Sequence, residues 1–148
     1  EPKKAFDKAI NHANKVAMSL SDKFCVDRHK SHFLDLVKNK LDIVFANEEE
    51  IMSLINTNNF DEVINFAKEV HKLIIVTRGE KGAVSIKGNS VTETGIKKNL
   101  NIVDLTGAGD LFASGYLHGY LNNFSQTDCL EKGTEMSSKI IQQMGARL

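Results

Sequence analysis

The 148-residue sequence is poor in features that betray a function: it has two cysteines, one proline and no excess of either charge. Cys25 and Cys129 stand alone, with no CxxC pair and no Cys/His spacing suited to zinc. A disulfide scaffold or a zinc module is therefore disfavoured, and a reducing, cytoplasmic setting fits. Lysine and arginine number 19, as do aspartate and glutamate, so charge gives no argument for nucleic acid or a membrane surface as partner. No apolar run approaches the ~20 residues of a membrane span. The opening Glu1-Pro2-Lys3-Lys4-Ala5 lacks the apolar core of a secretion signal. His12, His29, His32, His71 and His118 lack metal spacing, and a solvated face suits His29 and His32. Glycine is missing from the first half: all ten lie at or after Gly79, and the one proline is Pro2. The first half reads as regular scaffold, the second as the place of tight turns and close backbone approaches.

What is present is 41% hydrophobic and 26% charged, the profile of one ordinary domain over residues 1–148. Apolar spacing predicts helices over 3–15, 27–39, 108–122 and 126–143, with further helices beginning after Asn47 and at Asp61. Continuous apolar runs predict buried strands at 16–20, 42–46 and 73–77. The alternating segments 83–87 and 90–94 flank Gly88-Asn89 as a hairpin, and a short strand is expected at 101–103. Strands alternating with helices imply an α/β fold, a mostly parallel sheet covered on both faces. Ligands of such sheets bind at the carboxyl ends of strands.

Three strand ends carry chemistry. In Asp104-Leu105-Thr106-Gly107-Ala108-Gly109-Asp110 a predicted strand enters a turn of small residues and then a helix. The amides of Gly107, Ala108 and Gly109, with the helix start behind them, form an expected anion hole. Asp110 stands at its mouth. It is either an ordinary acid stabilising the helix start, or a general base beside the amides that hold a transferring phosphoryl group. Phe112 excludes a GxGxxG dinucleotide turn, and no Gly-Lys-Ser/Thr exists for a Walker loop. Thr77-Arg78-Gly79-Glu80-Lys81-Gly82 follows the clearest strand; alone, it reads as a plain turn or as a segment facing phosphates. Asn47 and Glu50 share one face of a first helical turn. They are either a helix cap or a pair that holds Mg²⁺ through its waters.

Taken together, the segments Thr106–Gly115, Asn47-Glu48-Glu49-Glu50 (an NxxE pattern) and Thr77–Gly82 (a TxGxxG pattern) resemble the ribokinase/PfkB family of carbohydrate and nucleoside kinases, in family order. Leu20–His29 resembles its adenosine kinase-like branch. The resemblance implies a ribokinase-like three-layer αβα fold and phosphoryl transfer from ATP to a hydroxyl of adenosine or a sugar. It implies Asp110 as catalytic base and Gly107, Ala108 and Gly109 as the anion hole. Thr77, Gly79, Gly82 and Thr106 would lie near the ATP phosphates, Thr134 and Ser138 at the adenine pocket, and Asn47 and Glu50 at Mg²⁺. It leaves room for a monovalent cation. The family's N-terminal half, with its lid and most acceptor-binding residues, has no counterpart here. The chain therefore reads as the C-terminal half, with weak or no turnover of its own; the other reading is a nucleotide-binding module without turnover. A sheet without its other half would expose an edge or an apolar patch and favour self-association. Gly115 and Gly119, one turn apart, are expected to let helices pack closely.

Overall fold

The computed structural model describes residues 2–148. The helices are α1 (Pro2–His12), α2 (Lys23–Arg28), α3 (Lys30–Asp35), α4 (Glu48–Ile55), α5 (Phe60–Val70), α6 (Ala108–Leu121) and α7 (Gln126–Ile140). The strands are β1 (Ala17–Ser19), β2 (Ile43–Asn47), β3 (Leu73–Thr77), β4 (Ala83–Lys87) and β5 (Ser90–Thr94). They form one five-stranded sheet in the order β1-β2-β3-β4-β5. β1 and β2 run parallel, Met18 opposite Val44. β4 and β5 are joined by two residues, too few for a crossover, so the sheet is mixed, as the hairpin at Gly88-Asn89 predicts. The fold is α/β. Among the described residues no helix is long and apolar enough to cross a membrane. The chain divides into two compact units, one of residues up to Ile74 with Ile86–Asn89, the other of Ile75–Ser85 with Ser90–Leu148.

In the first unit the core is built by apolar runs. Four residues of β2, Ile43 to Ala46, are buried, together with Ile51 and Leu54 of α4 and Val63 and Ala67 of α5. Burying each of the larger side chains here, valine, leucine, isoleucine or phenylalanine, stabilises by about 1.5–3 kcal/mol. Two sequence expectations need correction. The strand at 16–20 shortens to three residues and is not buried: it is the outermost strand, and Ala17 is exposed. The helix over 27–39 is broken. Asp22 caps an earlier helix through the Phe24 N–H at 2.6 Å, and His29 leaves helical geometry at φ −129°, ψ 32°. Leu36–Lys40 then forms a π turn in which the Leu41 N–H donates to the Leu36 carbonyl at 2.9 Å. With these breaks Val26, Leu36 and Val37 all reach the core. Asp27 ties the segment down by accepting from the Ser53 hydroxyl on α4, with Lys23 at 3.3 Å and Lys30 at 3.9 Å beside it. Those partners, the Ser53 bond foremost, hold its carboxyl below the ordinary value.

In the second unit α6 and α7 lie against each other through glycines. A Cβ on Gly115 would sit 2.6 Å from the Lys132 carbonyl oxygen, one on Gly133 2.9 Å from the Phe112 carbonyl oxygen, and one on Gly119 3.1 Å from Cys129 Sγ. Close packing of the helices thus needs the glycines at 115 and 119 that the spacing suggested. Behind them lies a buried polar network. The Tyr116 hydroxyl is 2.8 Å from Ser85 Oγ, and Gln126 Oε1 accepts from Ser85 at 3.2 Å and Thr92 at 3.4 Å. Burial pushes the Tyr116 phenol up to about 12. Tyr116→Phe is expected to cost about 1–3 kcal/mol in urea unfolding, since it strips a partner from a fully buried serine hydroxyl. An unchanged urea midpoint would remove the network from the account. The strand expected at 101–103 does not form. The Val103 and Asp104 N–H groups instead donate to the Ile141 carbonyl, at 2.8 and 3.2 Å, so this stretch runs along the end of α7 rather than into the sheet.

Candidate functional site

The turn before α6 is built by one carboxylate and one left-handed glycine. Asp104 Oδ1 accepts from the Thr106 N–H at 2.9 Å and the Thr106 hydroxyl at 2.7 Å, while Oδ2 accepts from the Gly145 N–H at 3.0 Å. These bonds hold the Asp104 carboxyl below its ordinary value, the Thr106 hydroxyl contributing most. Gly107 follows at φ +80°, a conformation costly for residues with a Cβ, and there a Cβ would also press on Ala146 at 2.9 Å. Gly107 is the N-cap of α6, and no side chain closes the helix start. The Leu111 N–H bonds the Gly107 carbonyl at 2.9 Å, and the Ala108 N–H donates to Leu105 at 3.2 Å. The N–H groups of Gly107, Gly109 and Asp110 have no partner among the described residues. Of the three expected anion-hole donors, that of Ala108 is thus engaged and those of Gly107 and Gly109 remain open. Gly109 has empty space where a Cβ would point. Packing does not require glycine at that position, and its absent side chain leaves room in front of the amides. Asp110 is exposed, in the first turn of α6, and its backbone carbonyl accepts from Ser114 at 2.9 Å.

Thr77 ends β3, half-buried. Gly79, at φ +56°, opens a one-turn 3₁₀ segment, Gly79–Lys81, with open space around its Cα. Gly82 differs: it is buried, its carbonyl accepts from the Arg78 N–H at 2.8 Å, and a Cβ would fall 1.9 Å from the Thr94 carbonyl oxygen. Its glycine is therefore explained by backbone packing. A cavity of about 500 Å³ lies between Thr94–Lys97 on one side and Phe124, Asp128, Glu131, Lys132, Thr134 and Glu135 on the other. Of the expected adenine-pocket residues, Thr134 lines it and Ser138 does not, being buried within α7. Glu135 is held at about 2 by its bonds to Lys139 and Lys132, so it is charged at neutral pH.

Asn47 and Glu50 belong to the first unit. They form a reciprocal cap: Asn47 Oδ1 accepts from the Glu50 N–H at 2.8 Å, and Glu50 accepts from the Asn47 N–H at 2.9 Å and from its amide Nδ2 at 3.0 Å. Glu50 is 6% exposed, and burial pushes its carboxyl up, Asp22 and Glu49 adding to the rise against the pull of the Asn47 N–H. Burial thus makes the charged form costlier in the fold than in the unfolded chain. Stability from this group is present below its unfolded value and lost as pH rises through the folded one. A nearby cation would offset that loss. Each carboxylate oxygen already accepts one hydrogen bond and keeps one lone pair, so the donor set fits Mg²⁺ held through its waters. Among the described residues no group of three or more His, Cys, Asp and Glu could hold a metal directly.

Sequence reasoning missed Asp104 as an organiser, although an aspartate two residues before a threonine is a turn signal. It also missed the cavity walls at Lys97 and Glu131, whose surface charges carry no periodic signature.

Comparison with known proteins identifies the family. Residues 3–148 match the family model of the pfkB family carbohydrate kinases. The chain is 32% identical over 114 residues to a cytidine kinase of Thermococcus kodakarensis, covering 74% of this chain and 40% of that protein. It superposes on a probable sugar kinase of Rhizobium etli with TM-score 0.94 at 41% identity, and on an adenosine kinase of Sinorhizobium meliloti with TM-score 0.94 at 38% identity. In both cases 99% of this chain and 46% of the other are covered, so it spans less than half the length of these relatives. An exposed amide-lined helix start, a vicinal carboxylate and a family model matching nearly every residue lead to one assignment: the chain belongs to the pfkB family of carbohydrate kinases.

Proposed function

We propose that residues 1–148 form a single nucleotide-binding domain, the C-terminal half of a kinase that moves the γ-phosphoryl group of ATP to a hydroxyl of a nucleoside or sugar. The observation that carries this reading is the start of α6: open N–H groups at Gly107 and Gly109, empty space before Gly109, and an exposed carboxylate at Asp110. The relatives named as cytidine, adenosine and sugar kinases point to the same acceptor classes.

In this reading the chain works by placement and electrostatics. The Gly107 and Gly109 amides, with the positive end of the 14-residue α6 behind them, hold the oxygens of the transferring phosphoryl group. Asp110 accepts the proton of the attacking hydroxyl as the oxygen–phosphorus bond forms and the bridge to the β-phosphate breaks. Thr77 and Gly79 face the phosphates, Gly82 fixes their turn, and Thr106 is steadied by Asp104. The cavity walled by Thr134 receives the base. Asn47 and Glu50 would hold Mg²⁺ through its waters, and the ion would supply the positive charge that accompanies ATP. Glu50→Gln keeps an acceptor for the cap but removes the charge; it is expected to raise the Mg²⁺ concentration at half-maximal rate about 10–100-fold. An unchanged metal requirement would remove that assignment.

The test is phosphoryl transfer from Mg·ATP by the longer protein containing this chain, against a panel of nucleosides and sugars. Turnover on one of them is expected. Activity on none, with ATP intact, contradicts the reading. The isolated chain is expected to bind Mg·ATP weakly and to turn over little.

A further inference from the structure

Asp104 bonds to two separate segments at once, and neither bond is needed to form a helix or a strand. Oδ1 holds Thr106, in the turn that opens α6; Oδ2 holds the Gly145 N–H, beyond the end of α7. Two further contacts join the same segments. The Ile141 carbonyl accepts from the Val103 and Asp104 N–H groups, and Gly107 lies so close to Ala146 that a Cβ would come within 2.9 Å of its methyl. The C-terminal stretch after Ile140 is irregular. Its other bonds, such as Gln142 Nε2 to the Ser138 carbonyl at 2.9 Å, the Gln143 N–H to the Ile140 carbonyl at 3.2 Å and Gln143 Nε2 to the Arg147 carbonyl, run to α7 or within the stretch itself, so the contacts above are what tie it to the turn.

We propose that Asp104 is a positioning residue that latches the turn at 104–107 to the C-terminal loop at 141–146, so that the two move as one piece and the loop sets the aim of the Gly107 and Gly109 amides. The proposal rests on the nucleotide reading above for its purpose, and on the bonds of Asp104 for its existence. Thermodynamic reciprocity gives it a second face: an anion seated on the turn steadies the C-terminal loop. The latch explains why the turn needs a carboxylate rather than an amide. Oδ1 already accepts two bonds from Thr106, so the Gly145 N–H needs a second acceptor oxygen.

Asp104→Asn separates the two halves of the latch. The asparagine oxygen still accepts from Thr106, but its NH₂ group cannot accept from Gly145. Amide hydrogen exchange by NMR on the 148-residue chain should show Gly145 and Ala146 exchanging at least tenfold faster in Asp104→Asn, with Thr106 little changed. Asp104→Ala should release both segments. Titration with Mg·ADP should show affinity at least fivefold weaker in Asp104→Asn, while the melting temperature moves little. Equal exchange at Gly145 in wild type and Asp104→Asn overturns the latch. Faster exchange with unaltered Mg·ADP affinity overturns the positioning role. If wild-type Gly107 and Gly109 do not respond to Mg·ADP, the nucleotide reading and the purpose assigned to the latch both fall, while the exchange data still decide whether the latch exists.

Discussion

Replacing Gly82 by alanine is expected to destabilise the chain by at least ~3 kcal/mol, lowering the melting temperature by roughly 10 °C. Two independent costs combine. The residue sits at φ +88°, ψ −140°, a region that glycine alone occupies comfortably. A Cβ there would also lie 1.9 Å from the Thr94 carbonyl oxygen, a backbone atom that moves only if β5 moves. Gly79→Ala is the internal control. It too has a positive φ, +56°, but open space around its Cα, so only the conformational term applies, about 1 kcal/mol. Thermal unfolding of both variants separates packing from conformation. If Gly82→Ala and Gly79→Ala lose the same stability, the close approach of Thr94 is wrong.

The second large effect concerns chemistry. In the kinase proposed above, Asp110→Asn should lower kcat by about 10²–10⁴, or roughly 3–5 kcal/mol of transition-state stabilisation, with the KM for ATP nearly unchanged. The substitution is almost isosteric, at an exposed residue, so folding should survive. Asparagine cannot accept the proton at the same position, and the acceptor hydroxyl then attacks unassisted. Turnover within tenfold of wild type would show that Asp110 merely favours the helix start, as an acid in any first turn does.

The sequence made most of this legible where local chemistry and global fold agree. β3 is a run of four buried apolar residues before Thr77, and the hairpin turn at Gly88-Asn89 announces itself by residue type. It misled where tertiary context decides. Residues 27–39 have helical spacing, but the core is reached only if the helix breaks at His29 and widens into a π turn after Leu36. Ile102 and Val103 look like a strand, yet their segment bonds to the end of α7 rather than to a sheet neighbour. At the candidate site the motif drew attention to Gly107, Gly109 and Asp110 but not to why each is there. Gly107 is required by its backbone and Ala146, whereas Gly109 is free of any packing demand. That difference is spatial, and no spacing rule carries it. Asn47 and Glu50 are the reverse case: their spacing gave both a cap and a metal role, and the reciprocal bonds between them leave room for the second only through water.

The most direct test of the account is the amide spectrum of the 148-residue chain during titration with Mg·ADP. The expected result is saturable shifts, largest at Gly107, Gly109 and Asp110, with smaller ones at Thr94–Lys97 and Thr134 along the cavity. Shifts confined to other residues, or none up to millimolar nucleotide, would contradict the claim that the start of α6 is where this chain gathers phosphate.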